Sequence, residues 1–235
     1  MAKKNKDISL SNLIKVKPIT EGQKTVFETY KQGKNQFLFG CAGTGKTFVS
    51  LYLAMQDVLN LQTKYEKVIL VRSLIPTREI GFLPGDEEDK AALYQVPYQN
   101  MVKFMFEQPN EQAFNMLYDR LKNQGSLYFL STSFLRGLTF DNSIIIVDEC
   151  QNLNFHELDT ITTRVGQDSK IIYCGDFSQT DLLKQNERNG LHDFLRILEE
   201  MQEFNCVEFN IGDIVSSGFV KNYLIQKTKL GMGME

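Results

Sequence analysis

The chain has 235 residues, 42% of them hydrophobic and 23% charged, which is enough apolar material to build one large domain or two small ones. A net charge of −3 excludes a nucleic-acid coat protein, which would be strongly basic, and no apolar run approaches the length of a membrane helix. Four cysteines (Cys41, Cys150, Cys174 and Cys206) form no CxxC pair; each sits in or beside an apolar run, so buried reduced thiols are expected.

Residues 1–18 form a basic segment, with five lysines against one aspartate in the first seventeen positions. A solvated tail is the plain expectation for such a terminus. No apolar stretch of signal-peptide length follows, so a cytoplasmic location is expected, with no membrane partner. Residues 19–235 read as a single domain. Apolar runs at 36–39, 67–71, 127–130, 143–147, 170–174 and 206–209 have strand length. Several lack strict alternation, as expected of strands covered on both faces of a parallel sheet.

Helical patterns lie between them. Residues 46–59 are rich in helix formers. Tyr98, Met101, Val102 and Met105 share one helical face, as do Phe114, Leu117, Tyr118 and Leu121. Leu191, Phe194, Leu195 and Leu198 mark another helix, which Asn189-Gly190 is expected to open. The alternation predicts an α/β domain with a mainly parallel sheet flanked by helices. Residues 86–123 interrupt it with helix signals alone, divided near Val96-Pro97 and Pro109, and read as a helical insertion.

Gly40-Cys41-Ala42-Gly43-Thr44-Gly45-Lys46-Thr47 fits the phosphate-loop pattern G-x-x-x-x-G-K-[ST], with an apolar strand before it and a helix after it. The chemistry needs these residue types. Glycines let backbone N–H groups turn inward around phosphates, and the helix that follows adds its positive N-terminal dipole. Lys46 would meet the β- and γ-phosphates, and the Thr47 hydroxyl would ligate Mg²⁺. ATP and Mg²⁺ are therefore the expected ligands.

The run at 144–147 ends in Asp148-Glu149. In a parallel sheet that end opens beside the phosphate loop. Asp148 would hold the metal through a water, and Glu149 would polarise the attacking water. A helix N-terminus that favours acids is the plainer alternative. The run at 170–174 ends in Gly175-Asp176-Phe177-Ser178-Gln179, where the Gln179 amide could sense the γ-phosphate; by spacing alone this is also an ordinary turn. His156 and His192 share no ligand spacing.

The order of these motifs resembles the PhoH family, single-domain relatives of superfamily-one helicases, over residues 22–227. Ile19-Thr20-Glu21-Gly22-Gln23 is similar to the family's upstream glutamine motif, which implies that Gln23 reads adenine. Ile69-Leu70-Val71-Arg72 with Ile80-Gly81-Phe82-Leu83-Pro84-Gly85-Asp86 resembles the stretch after its second strand. Phe134-Leu135-Arg136-Gly137-Leu138-Thr139 resembles its Arg-Gly-Arg-Thr segment, with Leu138 in place of the second arginine. Val147-Asp148-Glu149-Cys150-Gln151-Asn152, Thr163-Arg164-Val165-Gly166 and residues 175–182 follow in family order. One position departs: Ser216 stands where the family's Asp-(Ile/Val)-Val-Arg has arginine.

The resemblance implies a RecA-like P-loop core and a nucleic-acid-linked ATPase, a helicase-like motor on single-stranded RNA or DNA. One such core presents one side of an ATP site, so a ring-shaped homo-oligomer is implied, with a hexamer the natural inference. Charge for the other side would come from Arg164, or secondly Arg136, of a neighbour. Arg72, Arg78 and Arg136 are the basic residues nearest the loops that would follow a strand-binding groove. Two other classes stay open. A small-molecule kinase is disfavoured by Asp148-Glu149-Cys150-Gln151 and by the lack of an arginine-rich lid. An ATP-dependent assembly module with slow or no hydrolysis is kept open by Ser216.

Overall fold

The computed structural model describes residues 7–73, 87–132, 135, 137–176 and 185–230, with the side chains of these except at 87–92, 185–189 and 228. Six strands form one sheet: β1 (Asn35–Gly40), β2 (Lys67–Arg72), β3 (Leu127–Ser131), β4 (Ser143–Val147), β5 (Lys170–Gly175) and β6 (Phe204–Phe209). Their spatial order is β3-β2-β4-β5-β1-β6, and every neighbouring pair is parallel. This is the expected α/β core. β5 separates the phosphate-loop strand β1 from the acid-pair strand β4.

The unbroken apolar runs divide by parity between two cores, because successive side chains of a strand face opposite ways. In β4, Ile144 and Ile146 enter one cluster, while Ile145 and Val147 enter the other. The first cluster is covered by α1 (Glu21–Lys31), α2 (Lys46–Leu59), α3 (Glu87–Phe106) and α4 (Glu111–Asn123). The second is covered by α5 (Phe155–Thr162) and α6 (Gln185–Glu200). A last helix, α7 (Gly218–Lys229), follows β6. Local chemistry sets several starts. Thr20 caps α1 by accepting from the Gln23 amide, Asn110 caps α4, and Asn154 with Glu157 forms a capping box at α5.

Two local expectations need correction. The insertion does not divide at Val96-Pro97: α3 runs through Pro97. Proline removes one helical hydrogen bond, but the burial of Tyr98, Val102 and Met105 on the same helix keeps it continuous. α6 likewise runs through Asn189-Gly190 instead of starting there. The four cysteines are free, but only Cys150 and Cys174 are buried; Cys41 and Cys206 are half-buried. Among the described residues, no helix is long and apolar enough to cross a membrane.

The segment before α1 is tied down from Ile8 onward. Ile8 and Leu13 are buried, the Ile14 amide donates to the Met105 carbonyl (2.9 Å), and the Tyr52 hydroxyl joins the Ile14 carbonyl to the Val16 amide. Lys15 and Lys17 stay exposed beside them.

Asp213 fastens α1 to the turn after β6. One carboxylate oxygen accepts from the Gly22 amide (2.8 Å) and the other from the Asn210 amide (3.0 Å), and the residue is 2% exposed. Burial alone would raise its pKa. The Asn210 and Gly22 amides and the Thr20 hydroxyl favour the anion more strongly, and the net value lies below the ordinary 3.8. Asp213→Asn should destabilise the fold by about 1–3 kcal/mol at neutral pH, the range for a buried donor left short of its acceptor. Because the folded-state pKa is depressed, the difference from the parent should be full above pH 3.8 and shrink as pH falls through the lower folded value. Denaturant titrations at stepped pH measure both.

Candidate nucleotide site

Parallel strands bring the ends of β1, β4 and β5 to one edge, and the cleft lies there. It is an open cavity of about 190 Å³ between the phosphate loop, Asp148, Glu149, Asp176 and Met101 of α3.

The loop from Gly40 to Thr47 departs from β1 and enters α2 at Lys46. Two of its glycines are required by geometry. Gly40 has φ +115°, and a Cβ there would lie 2.0 Å from the Phe209 carbonyl oxygen, so β6 presses directly on the loop. Gly43 has φ +71°, and its Cβ would meet Ser216 Oγ at 2.3 Å. Both positions need the left-handed region that glycine enters freely. Lys46 folds back into the loop. Its Nζ donates to the Cys41 carbonyl (2.7 Å) and the Gly40 carbonyl (3.0 Å), and it lies 5.8 Å from the Phe209 ring centroid. The residue is 9% exposed, a buried cation held chiefly by carbonyl dipoles.

Asp148 is where the expected pieces meet. Thr47 Oγ1 donates to its Oδ1 (2.6 Å), and Tyr98 of α3 donates to its Oδ2 (2.7 Å). Its own amide donates to the Val71 carbonyl at the end of β2 (3.0 Å). The hard oxygens of Thr47 and Asp148 side by side fit Mg²⁺, which takes one or two protein oxygens plus phosphates and water. Among the described residues there is no cluster of three or more His, Cys, Asp or Glu suited to a metal.

Glu149 sits at φ 53° and ψ 41°, an uncommon conformation for a non-glycine residue and a form of strain found at functional sites. Gln151 holds it. The Gln151 amide donates to Glu149 Oε2, and its carbonyl oxygen accepts from the Asp176 amide (3.0 Å). Gln151 thereby ties the end of β4 to the end of β5. Burial raises the Glu149 pKa above the ordinary 4.5, and the Asp148 charge adds to the rise; Gln151 and Arg72 oppose it. A carboxylate tuned this way is a better proton acceptor.

The remaining expected residues fall in three places. Gln23 is buried against the loop, donating to the Thr44 carbonyl (3.0 Å) and accepting from the Ile19 amide (3.0 Å), so it braces the loop backbone. Ser216 reaches the Gly43 carbonyl (3.4 Å), next to the Val215 amide that donates to it (2.9 Å). Arg164 is apart: its carbonyl accepts from the Phe140 amide (2.9 Å) just ahead of β4, at the opposite edge of the sheet. Arg136 and Gln179 lie outside the described residues, as does Arg78. Arg72, expected near a strand-binding loop, instead turns toward the acid pair. It stacks over Tyr94 (5.5 Å) and places its charge beside the Tyr98 hydroxyl. Tyr98 and Gln151 carry no local spacing signal that would mark their roles. Tyr98 reads as one apolar position on a helical face, and Gln151 as part of a motif.

Known proteins share this sequence pattern. The PhoH-like protein of Synechocystis is 31% identical over 207 residues, which is 88% of this chain and 60% of that protein. Protein PhoH of Escherichia coli is 31% identical over 80% of the chain and 51% of that protein. The large terminase of a thermophilic bacteriophage, solved in complex with ADP, aligns with 88% of the chain and 49% of its own, at 14% identity and a TM-score of 0.47. The chain thus spans no more than 60% of the length of either PhoH relative. The family described as PhoH-like protein matches residues 15–226, and with a parallel sheet carrying a phosphate loop beside an Asp-Glu pair, the chain belongs to that PhoH-like family.

Proposed function

We propose that the protein binds ATP with Mg²⁺ and hydrolyses it as a homo-oligomeric ATPase linked to single-stranded nucleic acid. The observation that carries the reading is the pairing of Thr47 with Asp148 at 2.6 Å, directly under the phosphate loop, with Glu149 next in the chain. Loop amides and the α2 N-terminus would bind the phosphates. Lys46 would exchange the Gly40 and Cys41 carbonyls for β- and γ-phosphate oxygens. Thr47 and Asp148 would hold Mg²⁺, which supplies charge neutralisation at the bridging phosphates. Glu149, held by Gln151, would orient a water in line with the γ-phosphate and accept its proton, and Gln179 would contact that phosphate. Gln23 would face the adenine side of the loop. The nucleic-acid link rests on the family resemblance. ATPase rates measured with and without single-stranded RNA and DNA test it; stimulation by either is expected, and no stimulation and no binding at low salt would remove the polymer from the proposal.

A second reading is an assembly module with slow or no hydrolysis. It is favoured by Ser216, a neutral hydroxyl against Gly43 where the resemblance expects an arginine. A cation at the transition state contributes about 10³–10⁵ in rate, so its absence from this position matters unless a neighbour supplies one.

Lys46→Ala should abolish measurable ATP binding, read by calorimetry. Glu149→Gln should bind ATP·Mg²⁺ normally and hydrolyse it at least about a hundredfold more slowly. The parent rate should fall as pH drops through the raised Glu149 value, at a higher pH than an ordinary glutamate with its pKa of 4.5, because the base must be ionised to act.

Arg164 lies too far from its own cleft to complete it, so its proposed role is in a neighbour's site. Mixing Arg164→Ala and Glu149→Gln subunits, each inactive alone, should restore turnover wherever an intact acid pair meets an intact arginine face. Confirmed co-assembly without rescue would exclude Arg164.

A further inference from the structure

Asp148 has both carboxylate oxygens engaged by hydroxyl donors, and the two donors come from different parts of the fold. Thr47 belongs to the phosphate loop. Tyr98 belongs to α3, in the connection between β2 and β3, and its hydroxyl donates to Oδ2 at 2.7 Å. The tyrosine is 2% exposed, and its ring packs 5.7 Å from that of Phe129 on β3. Arg72, stacked on Tyr94 one helical turn earlier, places its charge beside the Tyr98 hydroxyl. The same helix contributes Met101 to the cleft wall and sets Phe104 against Phe48 of α2 (5.6 Å). Pro97 immediately precedes Tyr98 and cannot donate within the helix, so this turn lacks one backbone bond.

A carboxylate that holds a metal through water must present one oxygen in a fixed orientation, and hydrogen-bond donors behind it provide that. We propose that Tyr98 is a positioning residue for Asp148, and that α3 thereby moves with occupancy of the phosphate–metal site. This rests on the proposed nucleotide site. Loading the site draws Thr47 and Asp148 toward the metal. The Tyr98 bond carries that displacement into α3, and an imposed shift of α3 withdraws a donor from Asp148. The plainer role, a buried tyrosine satisfying its hydroxyl with the nearest acceptor, predicts a change in stability only.

The test uses Tyr98→Phe, which keeps the ring against Phe129 and removes only the hydroxyl. A fluorescent ATP analogue is titrated at stepped Mg²⁺. In the variant, the Mg²⁺ midpoint for tightened binding should rise by roughly tenfold to a hundredfold, the usual cost of losing a partner that orients a metal ligand, while metal-free affinity stays the same. Amide hydrogen exchange supplies the second measurement. ATP·Mg²⁺ should change protection across residues 94–105 in the parent and much less in the variant. An unchanged midpoint overturns the proposal. If the variant fails to fold, exchange in the parent decides alone, and α3 protection indifferent to ATP·Mg²⁺ overturns it. Should the parent bind no nucleotide, the site reading falls and takes this one with it. Mg²⁺-dependent binding with identical midpoints removes only the role of Tyr98.

Discussion

Strand direction is the constraint on which the site depends. All six strands point the same way, so β1 delivers Gly40, β2 Arg72, β4 Asp148, β5 Gly175 and β6 Phe209 to a single edge. Reversing any one of the inner strands would carry its terminal residue to the far side of the sheet. Because β5 lies between β1 and β4, the phosphate loop and the acid pair flank its end instead of colliding, and Gln151 spans the remaining gap to Asp176. The Thr47–Asp148 contact is short because α2 starts above β1 and leans across that gap.

Charge is balanced tightly at this edge. Asp148, Glu149 and Asp176 line one cleft with Lys46, and Arg72 acts on the acid pair from the end of β2. Two like charges in a partly buried cleft raise the cost of ionising both, which adds to the effect of burial on Glu149. Lys46 is satisfied by two carbonyls, which are weaker partners than phosphate oxygens. The site therefore holds its cation in a position it can leave. Glu149 stores conformational strain in its left-handed backbone, and the surrounding bonds of Gln151 keep it there.

Much of this was legible in the sequence, and the reasons are local. The inner strands β2, β4 and β5 announced themselves as apolar runs, since they are covered on both faces, while the edge strands β3 and β6 leave Tyr128 and Glu208 exposed. The phosphate loop was legible because its backbone geometry admits little besides glycine at Gly40 and Gly43. Asp148 and Glu149 were legible through their place at a strand end. Tyr98, Arg72 and Gln151 were not, because each acts through a contact between elements distant in sequence, and a helical face looks the same whether its tyrosine packs or donates. Pro97 misled for a related reason: its local preference to break a helix was outweighed by burial of the residues that follow it. Gly190 was read as a start signal, but α6 continues through it.

The contacts that hold the phosphate loop also have a consequence for biosynthesis. Gly22 is fastened by Asp213, Gly43 by Val215, and Gly40 abuts Phe209. The first member of each pair is made early and the second only after every other strand of the sheet. A nascent chain still lacking β6 and the turn after it can form helices and pair inner strands, but its loop lacks the supports at Gly40 and Gly43. Long-range closure of this kind is slow relative to local structure. Ligand would bind only chains that have passed this last step, and by mass action it would draw them toward the completed fold. In a growing polypeptide, the candidate site is thus completed only once β6 and the turn after it have been made.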